Sequence, residues 1–183
     1  MIRLRKKVQA FTLIELMVTM VVLAISLTFA ISSFSSMLAR QRLEASANHL
    51  RDFLTVARTE AIGRSKPVYF SIQSGNSWCF AIDSSNACAC GTANDCQMDG
   101  IEKKVDGNKY SQITLSTVDS ALQQFAYDGR RGLPTDTAGA AAASGAVKFS
   151  NTQGDSLTVR LNIVGRISMC SETGLRGYGT CPP

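Results

Sequence analysis

The sequence predicts an α+β fold, in which one long N-terminal α-helix packs on a C-terminal antiparallel β-sheet or β-sandwich domain. Three observations indicate this class. Residues 11–62 contain no proline or glycine, so no helix breaker interrupts them. Apolar residues in the second half of this stretch recur with helical spacing, and short β-rich runs separated by turn residues follow Pro67.

The first half of the predicted helix, residues 11–34, is apolar on nearly all sides and predicts a membrane-spanning segment. Its length is close to the roughly 20 helical residues that cross a bilayer core. Four basic residues precede it, and no secretory-type cleavage site of small residues follows it. The positive-inside rule therefore places residues 1–10 in the cytoplasm and the C-terminal part outside, which is the periplasm in a bacterium.

Glu15 stands near the start of this apolar run, and no lysine or arginine stands beside it. A carboxylate in a membrane span costs at least a few kcal/mol. The residues alone leave open whether Glu15 reaches the lipid headgroups at the end of an ordinary anchor or serves a contact of its own.

The second half of the predicted helix, residues 35–62, is amphipathic. One apolar stripe runs along it at steps of four, three, four, three and four residues, which is the spacing of one helix face. Such a stripe needs a partner surface, and the domain that follows is the predicted partner. Gly63 is the predicted C-cap of the helix. The stripe consists of Leu43, Ala47, Leu50, Leu54, Ala57 and Ala61.

Residues 63–183 form the predicted β-rich domain. Ser74-Gly75-Asn76 is typical of a hairpin turn between the first two strands. Residues 86–108 predict an irregular loop that is too polar for a core element, and residues 135–145 predict a flexible surface insertion of low complexity. The predicted strands occupy residues 68–72, 78–82, 112–118, 124–127, 146–150, 156–163 and 166–170.

All six cysteines follow the apolar segment, which places them in a compartment where disulfide bonds form. Their even number agrees with complete pairing. Cys170 and Cys181 bracket a glycine-rich tail and form one predicted pair.

The remaining four cysteines, Cys79, Cys88, Cys90 and Cys96, are expected to form two local bridges. Cys88 and Cys90 are separated by one residue and rarely bond each other, so Cys79 pairs with one of them and Cys96 with the other. The residues do not decide between these two arrangements. A zinc site is the alternative, but the spacing lacks the C-x2-C pairs of structural zinc sites. We therefore predict disulfides and no metal.

The net charge of +5 belongs mostly to the N-terminus. Residues 1–10 carry four basic and no acidic residues, and the rest of the chain has 15 Lys and Arg against 14 Asp and Glu. No broad basic face for nucleic acid is therefore predicted. The basic segment at residues 129–134, GRRGLP, is typical of a solvated turn.

No catalytic motif is present in the sequence. His49 is the only histidine, and a single histidine without an orienting partner is a poor catalytic candidate. The chain contains no G-x-S-x-G, no H-E-x-x-H and no phosphate-binding glycine loop. We expect no enzymatic activity and no cofactor, and we expect Trp78 to lie in the core.

The segment AFTLIELMVTMVVLAI at residues 10–25 resembles the class III signal of type IV pilins and type II secretion pseudopilins. The resemblance implies that a prepilin peptidase cleaves the basic leader, residues 1–10, between Ala10 and Phe11. It also implies methylation of the new N-terminal Phe11. Ala10 stands where the family usually has glycine. Glu15 matches the family's glutamate, which in assembled pili meets the N-terminal amine of a neighbouring subunit.

The rest of the chain resembles the GspH/FimT (FimT/FimU) group of minor pilins. The resemblance lies in RLEASANHLRDFLTVARTEAIGRSKPV, in the strand that begins Trp78-Cys79, and in the tail GRISMCSETGLRGYGTCP. It implies a type IV pilin-like fold. The implied function is that of a structural subunit that primes assembly of a type IV pilus or caps it, in twitching, adhesion or DNA uptake. The alternatives are a DNA-binding minor pilin for natural transformation and a type II secretion pseudopilin.

The resemblance also implies partners and a location. The partners are other pilins and minor pilins, contacted through the N-terminal helix, together with prepilin peptidase and the inner membrane before assembly. The implied location is the bacterial inner membrane, with a single pass and a periplasmic C-terminal domain, and then the pilus.

DNA is a further implied partner but not the favoured one. Some FimT-like minor pilins bind DNA through a G-R-x-R motif before a C-terminal cysteine. Gly165-Arg166-Ile167-Ser168 keeps the first arginine of that motif and has Ser168 in place of the second. Arg166 and Arg176 are the candidate phosphate contacts. Two positive charges predict only weak, salt-sensitive binding.

The leader motif predicts a mature chain that begins at methylated Phe11. Mass spectrometry of membrane fractions from cells with an active prepilin peptidase measures the N-terminal peptide directly. We expect the peptide to start at Phe11 with one added methyl group. A leader that stays intact in such cells contradicts the pilin-like interpretation.

Overall fold

The computed structural model of the protein describes residues 12–182. The predicted leader, residues 1–10, and the predicted new N-terminus, Phe11, lie outside the described residues. The described chain divides into two compact units between Leu38 and Ala39. The first unit is helical, and the second contains the rest of the helix and all the strands.

The long helix α1 (Leu13–Arg64) has 52 residues and confirms the helix predicted over residues 11–62. At its start, the backbone N–H of Glu15 donates a hydrogen bond to the Thr12 hydroxyl, with a nitrogen–oxygen distance of 3.3 Å. Thr12 is therefore the N-cap. Glu15 lies in the first turn, where the helix dipole favours a negative charge. In the part of the chain that the structure describes, no helix has the length and hydropathy needed to cross a membrane.

Helix α1 ends in a Schellman motif in which Ser65, and not the predicted Gly63, adopts the left-handed conformation. Ser65 has a φ of 53°. Its N–H donates to the carbonyl of Ile62 at 3.1 Å, and the N–H of Lys66 donates to the carbonyl of Ala61 at 3.3 Å. These are the two hydrogen bonds that define the motif. The prediction for Gly63 as the C-cap was wrong.

Arg64 is the residue whose contacts favour continuation of the helix beyond Gly63. Its Nε donates to Glu60 at 2.8 Å, one helical turn earlier. Its two terminal nitrogens donate to both carboxylate oxygens of Asp99 at 2.7 Å. The Arg64 guanidinium holds the pKa of Asp99 below its usual range. Because Arg64 makes these bonds from a helical position, the helix ends two residues later than the sequence predicts.

The predicted apolar stripe of α1 is buried along its whole length. Its six side chains are between 0% and 3% exposed. They form one core with the apolar residues of the strands that follow. This confirms that the amphipathic half of the helix packs on the β-domain.

Among the described residues, twelve strands, one short helix and one 3₁₀ turn follow α1. The turn is Gly107–Lys109 and the short helix, α2, is Ser120–Gln123. The strands are β1 (Val68–Gln73), β2 (Cys79–Asp83), β3 (Gln97–Met98), β4 (Ile101–Glu102), β5 (Lys104–Asp106), β6 (Ile113–Val118), β7 (Gln124–Tyr127), β8 (Pro134–Thr135), β9 (Gly145–Asn151), β10 (Ser156–Leu161), β11 (Ile167–Ser171) and β12 (Gly179–Thr180).

Two five-stranded sheets form the domain. The first has the order β5-β2-β1-β7-β8, and the second has the order β12-β11-β10-β9-β6. All neighbours pair antiparallel except β11 and β12, which pair parallel. A bridge between Gly75 and Leu115 links the first hairpin to β6. The predicted α+β class with antiparallel sheets is confirmed.

The prediction of an irregular, core-free loop at residues 86–108 was wrong in part. This segment contains β5, which pairs with β2, and the β3–β4 hairpin. It also buries Met98 and the three cysteines between β2 and β3. The physical reason is covalent, because one disulfide bond joins this polar segment to β2 and a second closes it on itself, where hydrophobic periodicity gives no signal.

The prediction of a flexible insertion at residues 135–145 was also wrong in part. Thr135 belongs to β8, which pairs with β7, and it forms a further bridge with Ala142. Ala143 is 2% exposed, and its N–H donates to the carbonyl of Pro134 at 2.9 Å. Ala143 alone among residues 136–144 is buried, and most of the others are exposed. The two-residue strands β8 and β12 and the helix α2 are too short to leave a periodic pattern.

Gly129 packs directly on the end of α1, and this contact predicts an effect on stability. A Cβ atom at this position would lie 2.3 Å from the backbone nitrogen of Lys66 and 2.5 Å from the carbonyl carbon of Ser65. Backbone atoms cannot rotate away, so we expect Gly129→Ala to cost about 1–3 kcal/mol. Thermal unfolding of the full chain, followed by circular dichroism, measures the change.

Gly63→Ala is the matched control for this prediction. Gly63 lies within α1, and a Cβ atom there would meet nothing within 4 Å. Alanine in a helix is favoured over glycine by roughly 0.5–1 kcal/mol, so the control is expected to raise the Tm. Equal Tm values for the two variants contradict the predicted contact.

Candidate functional site

An exposed apolar surface covers the start of α1, and we call residues 13–26 the apolar segment. Its large side chains are between 54% and 79% exposed. Glu15 is its only charged residue. A surface of this kind is stable when lipid or other apolar helices cover it. The exposed side chains are Leu13, Ile14, Leu16, Met17, Val18, Met20, Val21, Val22, Leu23 and Ile25.

All six cysteines are paired, and no free thiol occurs among them. The pair Cys170–Cys181 agrees with the sequence-based prediction. The other two bonds join Cys79 to Cys90 and Cys88 to Cys96, which decides between the two arrangements that the sequence leaves open. No group of His, Cys, Asp and Glu side chains in residues 12–182 is arranged to hold a metal ion.

Asp83, at the end of β2, organises the disulfide-bonded loop. One carboxylate oxygen accepts hydrogen bonds from the backbone N–H of Ser85 at 2.7 Å and of Asn86 at 3.1 Å. The other accepts from the backbone N–H of Gln97 at 2.8 Å. Burial raises the pKa of Asp83, but these donors outweigh burial, and the pKa lies below its usual range. Asp83 is therefore an ionised structural residue, and both of its carboxylate oxygens are used to hold the loop.

The candidate DNA residue Arg166 lies in a groove of about 330 Å³ at the end of the second sheet. Arg160, Ser168 and Asp119 also line this groove, which we call the arginine groove. Arg160 on β10 pairs directly with Ser168 on β11, so position 168 lies beside a guanidinium. The Asp119 carboxylate accepts a hydrogen bond from the N–H of Ala146 at 2.7 Å.

The two candidate arginines differ in their placement. Arg166 is exposed, and its backbone N–H donates to the Asn162 side chain at 2.8 Å. Arg176 is also exposed, but it is not among the described residues that line the arginine groove. Arg160 has a further contact, since its guanidinium donates to the carbonyl of Pro182 at 2.9 Å. Arg166 therefore shares the groove with Arg160, whereas Arg176 is not one of the residues that line it.

Two basic turns lie against each other. One carries Arg130 and Arg131, the other carries Arg166, and Arg58 of α1 lies beside both. Its guanidinium donates to the carbonyl of Gly165 at 2.9 Å. A Cβ atom at Gly165 would lie 3.3 Å from the carbonyl oxygen of Gly132, so the turn that carries Arg130 and Arg131 lies against the turn that carries Arg166. Asp128 accepts hydrogen bonds from the backbone N–H groups of Arg130 and Arg131, which fixes the shape of this turn.

His49 and Trp78 both serve the fold. Trp78 is 1% exposed, and its indole N–H donates to the carbonyl of Ile113 at 3.0 Å. This confirms the prediction that Trp78 lies in the core. His49 is exposed, and its Nδ1 lies 2.6 Å from the hydroxyl of Tyr110.

Comparison with known families identifies the chain. The family model described as type II transport protein GspH matches residues 46–165, which is well over half of the chain. The chain belongs to the GspH family. The match covers most of the domain that carries the arginine groove, but it ends before Arg166 and the Cys170–Cys181 loop. The resemblance to the GspH/FimT group is thereby confirmed.

A second family model, the prokaryotic N-terminal methylation motif, matches residues 5–31. This range contains the predicted cleavage point, Phe11 and Glu15. A GspH-family protein with this motif is a type IV pilin-like subunit, of the minor pilin or pseudopilin kind, which associates with other such subunits in a pilus-like assembly. The chain matches no curated protein and no solved structure.

Sequence reasoning alone did not place two parts of the site in this GspH-family protein. The pairing of Arg160 with Ser168 depends on the register of β10 and β11. The contact between the two basic turns depends on Gly132 and Gly165, which meet only in the folded chain. Gly132 and Gly165 each stand next to an arginine in the sequence, which marks two basic turns. The sequence does not show that these two turns contact each other in the fold.

Ser168 lies beside Arg160, so an arginine at position 168 is expected to increase DNA binding by this GspH-family protein. Ser168→Arg completes the G-R-x-R pattern next to a guanidinium, so we expect tighter binding of duplex DNA than in the natural chain. Each added phosphate contact releases about one counterion, so the salt dependence is expected to steepen by about one unit. Fluorescence anisotropy of labelled duplex DNA over a range of salt concentrations measures both quantities.

Gln153→Arg is the control, because it adds the same charge to the turn at the opposite end of β10. It is expected to leave DNA binding close to that of the natural chain. An equal gain in both variants indicates that total charge, and not the arginine groove, determines binding.

Proposed function

We propose that this protein is a minor pilin, a structural subunit that primes assembly of a type IV pilus or caps it. The observation that carries the proposal is the apolar segment of α1 with its single carboxylate. Large apolar side chains cover all sides of this helix, and burial in a bundle of neighbouring helices removes them from water. Membership of the GspH family and the methylation motif support the same role.

Glu15 provides the specific contact in this proposal. Cleavage between Ala10 and Phe11 creates an amine at the start of the helix, and this amine is a cation before assembly. The carboxylate of Glu15 then pairs with the Phe11 amine of a neighbouring subunit. A charge pair within an apolar bundle is more favourable than an unpaired carboxylate by several kcal/mol. The Thr12 hydroxyl accepts from the backbone N–H of Glu15 and does not contact its carboxylate through this bond.

The location follows from the same segment. Residues 11–34 hold the subunit in the bacterial inner membrane before assembly, with residues 63–183 in the periplasm. Three disulfide bonds support a compartment that is oxidising. Prepilin peptidase and the other pilins are the proposed partners, and no catalytic role is proposed.

A type II secretion pseudopilin is the first alternative. The specific observation in its favour is the family description, type II transport protein GspH. The same fold and the same N-terminal helix serve both roles. The two are distinguished by whether the chain is recovered from pili or from the secretion machinery.

A DNA-binding minor pilin is the second alternative. The observation in its favour is the contact between two basic turns, which carry the exposed residues Arg130, Arg131 and Arg166. Phosphate contacts from these arginines give binding without sequence preference. Ser168 in place of the second motif arginine makes this role the less favoured one.

Glu15→Val tests the assembly role. We expect the variant to be processed by the peptidase, because the cleavage point remains, but to enter pili poorly, because the Phe11 amine of its neighbour loses its partner. The ratio of the protein in sheared pili to that in membranes, measured by immunoblot, gives the result.

Thr19→Val is the matched control, because it replaces a polar residue of the same segment by the same apolar residue without removing a charge. It is expected to enter pili normally. Normal incorporation of Glu15→Val contradicts the proposed charge pair.

A further inference from the structure

A second cavity lies where β6 begins, and four segments of the chain meet there. They are the β1–β2 turn, the 3₁₀ turn with the residues after it, the first residues of β6 and the β9–β10 turn. The cavity has a volume of about 360 Å³, which is within the range of small-molecule sites. We call it the amide pocket. Its polar lining includes Asn76, Asn108, Tyr110, Gln112, Thr114 and Thr152.

The amide pocket is neutral. Among the described residues that line it, none is Asp, Glu, Lys, Arg or His, which distinguishes it from the arginine groove. Side-chain amides carry both donors and an acceptor, and hydroxyls act as either. A ligand that matches such a lining is uncharged and carries many groups that both donate and accept. Sugar hydroxyls have this property.

Part of this hydrogen-bonding capacity is available to a ligand, although the Tyr110 hydroxyl already bonds His49. The Asn76 side-chain oxygen accepts from the Thr114 hydroxyl at 3.2 Å, which leaves the Asn76 amide nitrogen. Within residues 12–182, the side chains of Asn108, Gln112 and Thr152 make no hydrogen bond to the protein. Several amide and hydroxyl groups therefore converge on one cavity without protein partners.

Trp78 holds the wall of the pocket in place from below. Its carbonyl accepts from the N–H of Gly107 at 2.7 Å, and its indole N–H donates to the carbonyl of Ile113 at 3.0 Å. The Tyr110 ring stacks on the indole with a centroid distance of 5.6 Å. Both ends of residues 107–113 are thus fixed to one buried residue, Trp78, one through its backbone and the other through its side chain. A wall that is already ordered loses little conformational entropy when a ligand binds.

Gln112 has an unfavourable backbone conformation at the centre of this wall. Its φ is 70°, in the left-handed region, which is uncommon for a residue with a side chain. Glycine takes this conformation without steric cost. Strained residues of this kind occur where the surrounding structure enforces them, and they cluster at binding sites. At this position the glutamine side chain lines the pocket.

We propose that the amide pocket is a binding site for a neutral oligosaccharide. A peptide is a poorer fit, because peptide sites combine backbone hydrogen bonds with apolar pockets for side chains. The one aliphatic side chain of this lining, Ile113, is 4% exposed. A phosphate-bearing ligand is a poorer fit because the lining offers no cation. This role is separate from assembly through the apolar segment, so either can fail without the other.

Trp78 is the only tryptophan of the chain, and it contacts Gly107, Tyr110 and Ile113 of the pocket wall, so intrinsic fluorescence reports on that wall. The experiment uses the full chain in a detergent without a sugar headgroup. Maltotriose, chitotriose and trialanine are titrated separately, and calorimetry on the same samples detects binding that leaves the fluorescence unchanged. We expect a saturable response to at least one of the two sugars and none to trialanine.

Two variants remove side chains that have no protein partner. Asn108→Ala and Thr152→Val are each expected to weaken sugar binding about fivefold to tenfold, which corresponds to one lost hydrogen bond. Gln123→Ala, an exposed glutamine outside the pocket, is the control and is expected to bind as the natural chain does. Gln112→Gly is expected to raise the Tm, because it relieves the strained backbone, and to lower sugar affinity.

The proposal is overturned if calorimetry shows binding of neither sugar at millimolar concentrations. It is also overturned if trialanine binds as well as the sugars do, or if Asn108→Ala and Thr152→Val bind as tightly as the natural chain. Normal pilus assembly by these variants leaves the proposed pilin role intact while the sugar site is tested.

Discussion

Burial of the apolar stripe of α1 against the two sheets is the contact on which the rest of the domain depends. The stripe loses nearly all of its accessible surface, and apolar burial contributes roughly 25 cal/mol per Å². Its position also determines which helix residues lie at the edges of the contact. Three of these are arginines, and each bonds a different loop. Arg40 contacts Asp155, Arg58 contacts the carbonyl of Gly165, and Arg64 contacts Asp99. One buried face thereby positions three loops, and the turn next to the arginine groove is one of them.

The sequence predicts the parts of this fold that follow from hydrophobic periodicity. The stripe of α1 and the strands β1, β2, β9 and β10 have enough apolar residues in a regular pattern to be predicted as secondary structure. Residues 86–108 have no such pattern, because Cys79–Cys90 bonds this segment to β2 and Cys88–Cys96 closes it on itself. Ser65 shows a second limit of the sequence. Glycine is the usual left-handed residue at a helix end, and a serine in that position is identified only by its hydrogen bonds.

The candidate sites divide in the same way. Phe11 and Glu15 belong to a continuous motif, so the sequence alone singles them out. The arginine groove is made by a strand register that places Arg160 opposite Ser168, and the amide pocket is assembled from four separate segments. Such sites depend on tertiary contacts between residues that are distant in the chain. Their residue types are ordinary ones for a surface, and only their convergence makes them candidates.

The placement of the three disulfide bonds has a mechanical consequence. Each bond joins residues of the β-domain, and none includes a residue of α1. A pulling force that enters through the helix therefore reaches the sheets through the backbone at residues 65–67 and through packing, hydrogen bonds and ion pairs, with no disulfide bond between helix and sheets. The three bonds close only residues 79–96 and 170–181, so tension cannot extend these two segments after the helix has separated. Separation of α1 from the sheets under tension therefore breaks no disulfide bond, and both closed segments stay closed on the sheet side.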